Sequence, residues 1–486
     1  MEVVGRRFAV LGLARSGIAC ARLLLARGAA VTVLDVKPRE ALPPGVAELE
    51  RAGARVVLGP HPVAELAAAE FLVISPGIPD LPQVAAAEAA GVRVLAEIEV
   101  ALWWLRAPIV AVTGTNGKST VTSLLGEMGR RAGRPTFAGA NLGTPLSDAV
   151  DSPANAPDGL VVAELSSFQF ERTASLRPRV AVLLNVTDDH LDRHGTFEAY
   201  AELKGRVFDG QTAGDFAIVP AGDAVCEGLA HRRKGRVLRF GPGGDAFLDG
   251  SDLVARGPDG EKVRVPRSLL RLRGGHNEDN ALAAMLAARC VGLPAAAIRE
   301  ALAAFAGLPH RMQLVAEVGG VAFYDDSKAT NVGAALRAIE GLDRRGVLVA
   351  GGREKGGSYA PLRDAIRAHI KRIVLIGEAR ANMKAQLGDL VPCDEAETLE
   401  DAVRLAARAA EPGEAVLLAP ACSSWDMFRD YGERGDRFAA AAKAAGRACE
   451  GEGEVRAKDA KGGSDAKTAK GAGKSAQGPA GGRDGR

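Results

Sequence analysis

Aromatic side chains are scarce in this chain of 486 residues, at 4% of the total, and cysteine is scarcer still. The six cysteines, Cys20, Cys226, Cys290, Cys393, Cys422 and Cys449, form no CxxC pair, and none clusters with histidine. That spacing argues against a disulfide scaffold and a structural zinc site, and it fits a reducing compartment. An excess of one charge is missing too: 62 Lys and Arg oppose 60 Asp and Glu, a formal net charge of +2. Neither nucleic acid nor an anionic membrane is therefore expected as the main partner, and a charged ligand has to be met by groups placed locally. Nowhere does the chain hold the roughly 18 uninterrupted apolar residues of a membrane span. The start, Arg6-Arg7 before FAVLGLA, imitates a signal peptide, but Arg15 breaks the apolar run and no small-residue cleavage site follows. It reads as a first strand.

What the chain does have is the balance of an ordinary globular protein, 47% hydrophobic and 25% charged, with 59 Gly and 25 Pro. At roughly 100–200 residues per domain, three domains are expected. Short apolar runs alternate with helical periodicity, the pattern of parallel α/β sheets. Strands are predicted at 8–11, 29–35, 71–74 and 92–95, with helices at 18–26 and 83–90, and this first domain is placed at 1–106. Strands at 109–113, 160–164, 180–185 and 216–219 build a second domain, 107–308. Short strands and turns over 241–275 decorate it, and an amphipathic helix beginning near His276-Asn277 follows. In the third domain, 309–450, the runs VAFYDD, GVLVAGG, RIVLIGE and AVLLAPA alternate with helices at 332–339, after Pro361, and at 399–410. Residues 451–486 hold Val455 as their only branched apolar residue, so a disordered, low-complexity tail is expected there. The fold class is α/β: a Rossmann-like N-terminal sheet, a central P-loop-type ATPase domain and a Rossmann-like C-terminal domain.

The sharpest chemical signal is GTNGKST, Gly114-Thr115-Asn116-Gly117-Lys118-Ser119-Thr120, between a β-branched strand and a helix. Backbone N–H groups at such a turn face an anion, Lys118 adds a point charge for β/γ phosphates, and Ser119 or Thr120 can reach Mg2+. The strict GxxxxGK[ST] spacing needs glycine at 112, where Val112 stands, so this is a shortened relative of the P-loop. Nucleoside triphosphate binding is the favoured reading. Two further strand ends carry acids, Glu164 in VVAELSSFQF and Asp188-Asp189-His190 in LLNVTDDHLDRH. Ligands of parallel sheets gather at carboxyl ends of strands, so Glu164 and His190 could meet cations beside Lys118. His190 and His194 have the i, i+4 spacing of a zinc site, but no Glu follows at 191, and His194 reads as a surface or cap residue.

The first domain offers Gly12-Leu13-Ala14-Arg15-Ser16-Gly17, with Asp35 ending the next strand. Ala14 stands where a glycine would let the backbone approach a dinucleotide, so a nucleotide-linked ligand held differently from NAD and a turn that binds nothing both stay open. In the third domain, DDSKATN (325–331), GGREK (351–355) and PACSS (420–424) follow strands, and their hydroxyls and lysines suit a small substrate bearing carboxylates.

Read together, ten motifs in order resemble the Mur ligase family: SPGIP, GTNGKSTVT, NLG, ELSSFQF, LNVTDDHLDRH, GGHNEDNALAA, GLPHRM, DDSKATN, GGREKGG and PACSSWDMF. The likeness runs over residues 6–445 and favours the glutamate-adding branch. It implies an N-terminal domain for a uridine nucleotide sugar, a central ATPase domain, and a C-terminal domain shared by ATP and the amino acid. The implied reaction adds D-glutamate to UDP-N-acetylmuramoyl-L-alanine: its carboxylate attacks the γ-phosphate of ATP, and the amine then attacks the acyl phosphate. Two Mg2+ ions, a cytoplasmic setting and a monomer are implied with it.

Carried over by motif, the resemblance makes Lys118, Glu164, His190 and Lys204 catalytic. Ser119 and Glu164 would be ligands of one Mg2+ and His190 of the other, with Lys204 in YAELKGRVF acting as a carbamate. On the residues alone Lys204 is a solvated helix-face lysine, since an ammonium cannot bind a cation. Asn277, Arg311 and Asp326, with His310 beside them, match positions around ATP, together with Gly114 to Thr120. Arg15, Ser16, Asp35, Gly77 and Asn141 match the sugar-nucleotide side, and Thr330, Lys355, Ser424 and Tyr431 the D-glutamate side. The chain departs from the pattern at three places: Val36-Lys37 where a hydroxyl and an arginine are familiar, Arg15 for an apolar residue, and Tyr431 for phenylalanine. A sister amide ligase, a nucleotide-driven switch or transport ATPase, and a nicotinamide oxidoreductase are the competing classes. The last is opposed by Ala14 and the Lys118 turn.

Overall fold

The computed structural model describes residues 1–445 except Gly77, Pro79, Asp80, His190, 272–274, Lys355 and Gly357, and except the side chains of Leu191 and Asp192. The tail expected over 451–486 lies outside the described residues. The chain divides into two compact units, one built from Met1–Pro309 with Leu336–Gly341, the other from His310–Ala335, Leu342–Glu354 and the described residues from Ser358 onward.

The first unit carries two sheets. One holds β1 (Arg7–Leu11), β2 (Ala30–Asp35), β3 (Arg55–Leu58), β4 (Phe71–Ile74) and β5 (Arg93–Ala96), all parallel, in the order β3-β2-β1-β4-β5. The other contains β6 (Ile109–Thr113), β7 (Thr136–Ala140), β8 (Leu160–Glu164), β9 (Val180–Leu183), β10 (Phe216–Pro220), β11 (Arg236–Phe240), β12 (Ala246–Asp249), β13 (Asp252–Arg256) and β14 (Lys262–Pro266). Its order is β14-β13-β12-β11-β10-β9-β6-β8-β7, parallel from β7 to β12 and antiparallel beyond. Every residue of β6 and β8 is buried, as continuous apolar runs covered on both faces require. The two sheets share one core: Val10 and Phe71 belong to the same apolar cluster as Val161 and Leu183.

The helix Gly275–Cys290 departs from expectation. It was predicted to be amphipathic, yet Asn280 through Ala288 are all buried, because it packs against the helix Lys118–Arg131 as well as against β9 to β13. Its run of alanines allows that close approach on several sides at once.

The second unit is built on β15 (Gln313–Val318), β16 (Val321–Asp325), β17 (Gly346–Gly351), β18 (Ile370–Ile376), β19 (Cys393–Glu395) and β20 (Ala415–Leu418). The order is β15-β16-β20-β17-β18-β19, with only β15 antiparallel to its neighbour. No helix among the described residues is long and apolar enough to cross a membrane. Cys20, Cys226, Cys290, Cys393 and Cys422 are free thiols.

Candidate active site

β6 lies between β8 and β9, so the chain leaves it where the connections to either side diverge, the position at which a parallel sheet opens a crevice. The turn Gly114–Gly117 fills that point and leads into the helix Lys118–Arg131. Gly117 caps the helix at φ 87°, and a Cβ there would run into Oδ1 of the buried Asn280, so only glycine fits without displacement. Asn185, just past β9, clamps the turn: its carbonyl accepts from Thr115 N at 2.9 Å, its Oδ1 from Asn116 N at 2.9 Å, and its Nδ2 donates to Asn116 O at 3.1 Å. Lys118 Nζ donates to the carbonyls of Gly114 (2.8 Å) and Thr115 (2.7 Å), which anchors the ammonium over the turn. Ser119 and Thr120 are buried in the first turn of the helix.

Lys204 joins the same turn. It is 1% exposed, and its Nζ donates to Gly114 O at 2.9 Å, so this carbonyl serves both lysines. Burial first, and the neighbouring charge of Lys118 second, push the Lys204 ammonium well below the ordinary lysine range, against the pull of Asp189 and Glu164. A buried amine held toward its neutral form is a nucleophile rather than a counter-ion. The ring of Tyr200 lies 4.5 Å from Nζ, and the Tyr200 hydroxyl is 3.3 Å from Thr115 Oγ1, which ties the helix Phe197–Gly205 to the turn. His194 is not the surface or cap residue its sequence suggests. Its side chain is 5% exposed, stacked between Phe168 and Tyr200, with Nε2 3.0 Å from Ser167 Oγ, because the two aromatic faces enclose it.

Glu164 ends β8 in register with Val112 and Ala140, which puts its carboxylate at the same edge of the sheet as the turn. Oε1 accepts from Asn141 Nδ2 at 2.6 Å, whereas Oε2 is buried without a hydrogen-bond partner. Asn116 Nδ2 and Thr187 Oγ1, on the turn and on the segment after β9, are buried and unpartnered as well. The unmatched carboxylate oxygen of Glu164 and the unmatched Thr187 hydroxyl are oxygen donors of the kind a hard cation such as Mg2+ takes, whereas the Asn116 amide nitrogen can only donate a hydrogen bond. Ala140, just before Asn141, sits at φ 75°, a strained backbone for a residue with a Cβ. His190 lies outside the described residues, and no cluster of three or more His, Cys, Asp or Glu suited to a metal occurs among the described ones. Asn277 heads the helix behind the turn and accepts from Asn280 Nδ2 at 3.2 Å.

The mouth of the first sheet is arranged around Asp35. Its Oδ2 accepts from Leu13 N at 2.8 Å and its Oδ1 from Lys37 N at 3.0 Å, so this carboxylate holds the glycine turn and the loop after β2. Gly17 lies so close to Gly12 that a Cβ would overlap the Gly12 carbonyl. Arg15 is exposed and Ser16 half-buried, at the start of the helix Arg15–Ala26, which has no side-chain cap. Gly77 lies outside the described residues. A cavity of about 460 Å3 at the opposite, amino ends of these strands is lined by Arg6, Glu70, Phe71 and Arg93, whose charges pair with each other or stack on the ring.

In the second unit, loops after β16 and β20 meet. Ala421 N donates to Ala329 O at 2.9 Å, and Arg434, with no exposed surface, spans both loops. Its Nε and Nη2 donate to Ser327 Oγ (2.9 Å) and O (2.8 Å), and its Nη1 donates to Cys422 O at 3.2 Å. Thr330 and Ser424 are thereby set on neighbouring loops, while the Tyr431 ring is covered by Lys328 Nζ at 3.7 Å and by His310 edge-on. Desolvation pushes the Asp326 carboxyl up to about 7, opposed by the charge of Arg311 and reinforced by Asp325. Asp325 is fully buried and bonds His310 Nδ1 at 2.7 Å. Lys355 lies outside the described residues. Sequence reasoning assigned no role to Asn185, Asn280 or Arg434. The first two stand in motifs singled out above, each as a polar residue bordering an apolar run, whereas nothing distinguishes Arg434 from the other basic residues around it.

Family models match the chain in three consecutive segments: the N-terminal domain of MurD-like Mur ligases over residues 6–96, the Mur ligase middle domain over 112–288, and the Mur ligase glutamate ligase domain over 310–422. The UDP-N-acetylmuramoylalanine–D-glutamate ligase of Geotalea daltonii is 43% identical over 91% of this chain and 98% of its own length. The chain belongs to the Mur ligase family. The ligase of the same name from Geobacter metallireducens is 44% identical over 92% of this chain and 99% of its own. At the level of fold, this Mur ligase resembles the MurF ligase of Thermotoga maritima in complex with ADP, with a TM-score of 0.58, 19% identity, and coverage of 91% of this chain and 96% of that one. Lys118, Glu164 and Lys204 fall in the middle-domain match, Arg15 and Asp35 in the N-terminal match, and Arg311, Asp326 and Thr330 in the glutamate ligase match, whereas Ser424 and Tyr431 lie just past it.

Proposed function

We propose that this chain is an ATP-dependent ligase that joins D-glutamate to UDP-N-acetylmuramoyl-L-alanine, giving ADP and phosphate, in the cytoplasmic synthesis of peptidoglycan precursors. The observation that carries the reading is likeness at 43% and 44% identity, over nearly the whole length of both chains, to ligases named for that reaction. The reading divides the chain at 106, 308 and 450 into sugar-nucleotide, ATP and amino-acid domains followed by a tail, and it takes the enzyme to be a monomer.

The chemistry explains the architecture. A carboxylate resists attack by an amine because it has no good leaving group, so its oxygen first attacks the γ-phosphorus of ATP and ADP leaves. The amine of D-glutamate then attacks the carbonyl carbon of the acyl phosphate, phosphate departs with the bonding electrons, and the amine gives up a proton. The barrier to the first step is repulsion between two anions, which positive charge held over the turn counters. Lys118 and the turn Gly114 to Thr120, through those N–H groups that Asn185 does not take, would hold the triphosphate, with Asn277, Arg311 and Asp326 around the nucleotide. Ser119, Glu164, His190 and Lys204 would hold two Mg2+ ions, which when bound supply further screening of phosphate charge. For Lys204 that role requires the carbamate, which a neutral amine forms with CO2. Its burial and the adjacent positive charge of Lys118 support this. Arg15, Ser16, Asp35, Gly77 and Asn141 serve the sugar nucleotide, and Thr330, Lys355, Ser424 and Tyr431 serve D-glutamate, with Lys355 and Ser424 on its carboxylates.

The test is ADP release by the purified chain with ATP, Mg2+ and UDP-N-acetylmuramoyl-L-alanine, comparing D-glutamate with L-glutamate, L-lysine, meso-diaminopimelate and no amino acid. Turnover confined to D-glutamate is expected. Turnover with a diamino acid would move the chain to a sister ligase, and release that needs no amino acid would make it a nucleotide switch or transport ATPase.

A further inference from the structure

We infer that His61 binds the nucleoside end of the sugar nucleotide through an imidazole nitrogen at the carboxyl mouth of the first sheet. The inference rests on the reading above, which is what brings a uridine nucleotide to this chain. β3 ends at Leu58, and Gly59 N donates to Asp35 O at 3.0 Å, so the segment that follows is tied to the end of β2. It reads Pro60-His61-Pro62, in which a ring on either side restricts the backbone of the histidine, and Pro62 opens the helix Val63–Ala67. The imidazole is therefore presented by a stiff support rather than by a loose loop.

His61 is 9% exposed, and its Nδ1 is buried with no hydrogen-bond partner. Buried polar atoms in folded proteins are paired as a rule, and one that is not needs an explanation. A histidine kept for packing alone would have that nitrogen satisfied by the protein. The obvious neighbour cannot serve as the explanation. Both oxygens of Asp35 already accept from backbone N–H groups, those of Leu13 and Lys37, and no bond joins Asp35 to the ring. Burial outweighs the pull of the Asp35 charge and favours the neutral imidazole, which offers one donor and one acceptor.

The position points to the ligand. In parallel sheets ligands gather beyond the carboxyl ends of strands, beside the point where strand order reverses, and here that point is β1 between β2 and β4. The uncapped start of the helix at Arg15 presents N–H groups suited to a diphosphate, whereas those of Gly12 and Leu13 are taken by Leu34 O and Asp35. His61 and the 63% exposed Val36 stand two strands and one strand away, at the ends of β3 and β2. A flat base can lie on the valine while its imide or the ribose hydroxyls meet the ring. The chemical class is a pyrimidine nucleoside diphosphate.

The experiment is calorimetric titration of the full chain with UDP and, separately, with ADP. His61→Ala is expected to raise the UDP Kd about tenfold, about 1.4 kcal/mol, and to move the ADP Kd less than twofold. In turnover the loss should fall on the KM for the sugar nucleotide rather than on kcat. In the wild-type protein, the His61 ring nitrogen resonances should shift on saturation with UDP, a readout that does not depend on the variant folding. A UDP Kd within twofold of wild type, or ring resonances unmoved by UDP, would overturn the assignment, the second result leaving a trapped water as the partner of Nδ1. If wild type binds ADP but not UDP, the sugar-nucleotide reading falls and takes this inference with it. If wild type and variant bind UDP alike, His61 alone is wrong.

Discussion

Replacing Gly117 by alanine tests whether the turn between β6 and its helix is held in one geometry for nucleotide binding. The backbone there has φ 87°, where a residue with a Cβ is strained by about 1–2 kcal/mol. The new Cβ would also displace Asn280 Oδ1 and press on Leu184 Cδ1 at 3.1 Å. Moving the Asn280 amide, 7% exposed and bonded to Asn277 at 3.2 Å, costs a further hydrogen bond of about 0.5–1.5 kcal/mol. The sum, about 1.5–3.5 kcal/mol, acts against the native turn. If ADP binds only that turn, apparent affinity falls with its population, up to about 300-fold. Titration calorimetry with ADP measures this, and UDP affinity is the control, because the first sheet is untouched. Adding Asn280→Ala to Gly117→Ala removes the collision but not the strain, so about three- to tenfold of the loss should return. Gly117→Ala binding ADP within twofold of wild type would refute the idea that the turn's backbone is what presents the nucleotide site.

Lys204→Ala is expected to lower ADP release at least about 100-fold, the upper end of what loss of a supporting group costs at a metal site. Short carboxylic acids added to the assay should restore much of that activity by standing in for the carbamate, and a fully active variant that needs no rescue would refute the assignment. A pH effect comes from Glu97, which is 2% exposed and accepts from Ser147 N at 2.7 Å and Oγ at 2.6 Å. Burial pushes its carboxyl from 4.5 up to about 7, so its stabilising contribution is complete below about pH 4.5 and is lost as pH rises through about 7. At about 1.4 kcal/mol per pH unit, wild type should lose about 3 kcal/mol across that window relative to Glu97→Gln. Thermal midpoints of the pair measured at pH 4.5 and 8 check it, and a gap that does not change with pH would show that Glu97 ionises freely.

How far the fold was legible depends on where each strand sits in its sheet. β4, β6 and β8 are predicted residue for residue because they are internal, buried on nearly every position, and so written as unbroken apolar runs. Apart from β5, whose run VRVL is predicted at 92–95, the edge strands carry no such run. β3, β7, β15 and β19 each border a sheet, are only partly buried, and were not predicted. The same physics divides the site residues. Lys118 and Glu164 announce themselves because one stands just past and the other at the end of a strand buried along its whole length, where a polar residue is a break in pattern. Lys204 lies within an ordinary helical period, and its burial comes from contacts with residues about 90 positions away, as its bond to Gly114 shows. Arg434 is the extreme case, a side chain with no exposed surface whose partners Ser327 and Cys422 belong to two other segments. Groups that meet ligands sit at strand ends and leave a local signature, whereas groups that position them act through tertiary contacts that no window of sequence contains. A search for positioning residues therefore has to start from unmatched or fully enclosed polar atoms in the structure, which is the route that leads to Arg434 and His61.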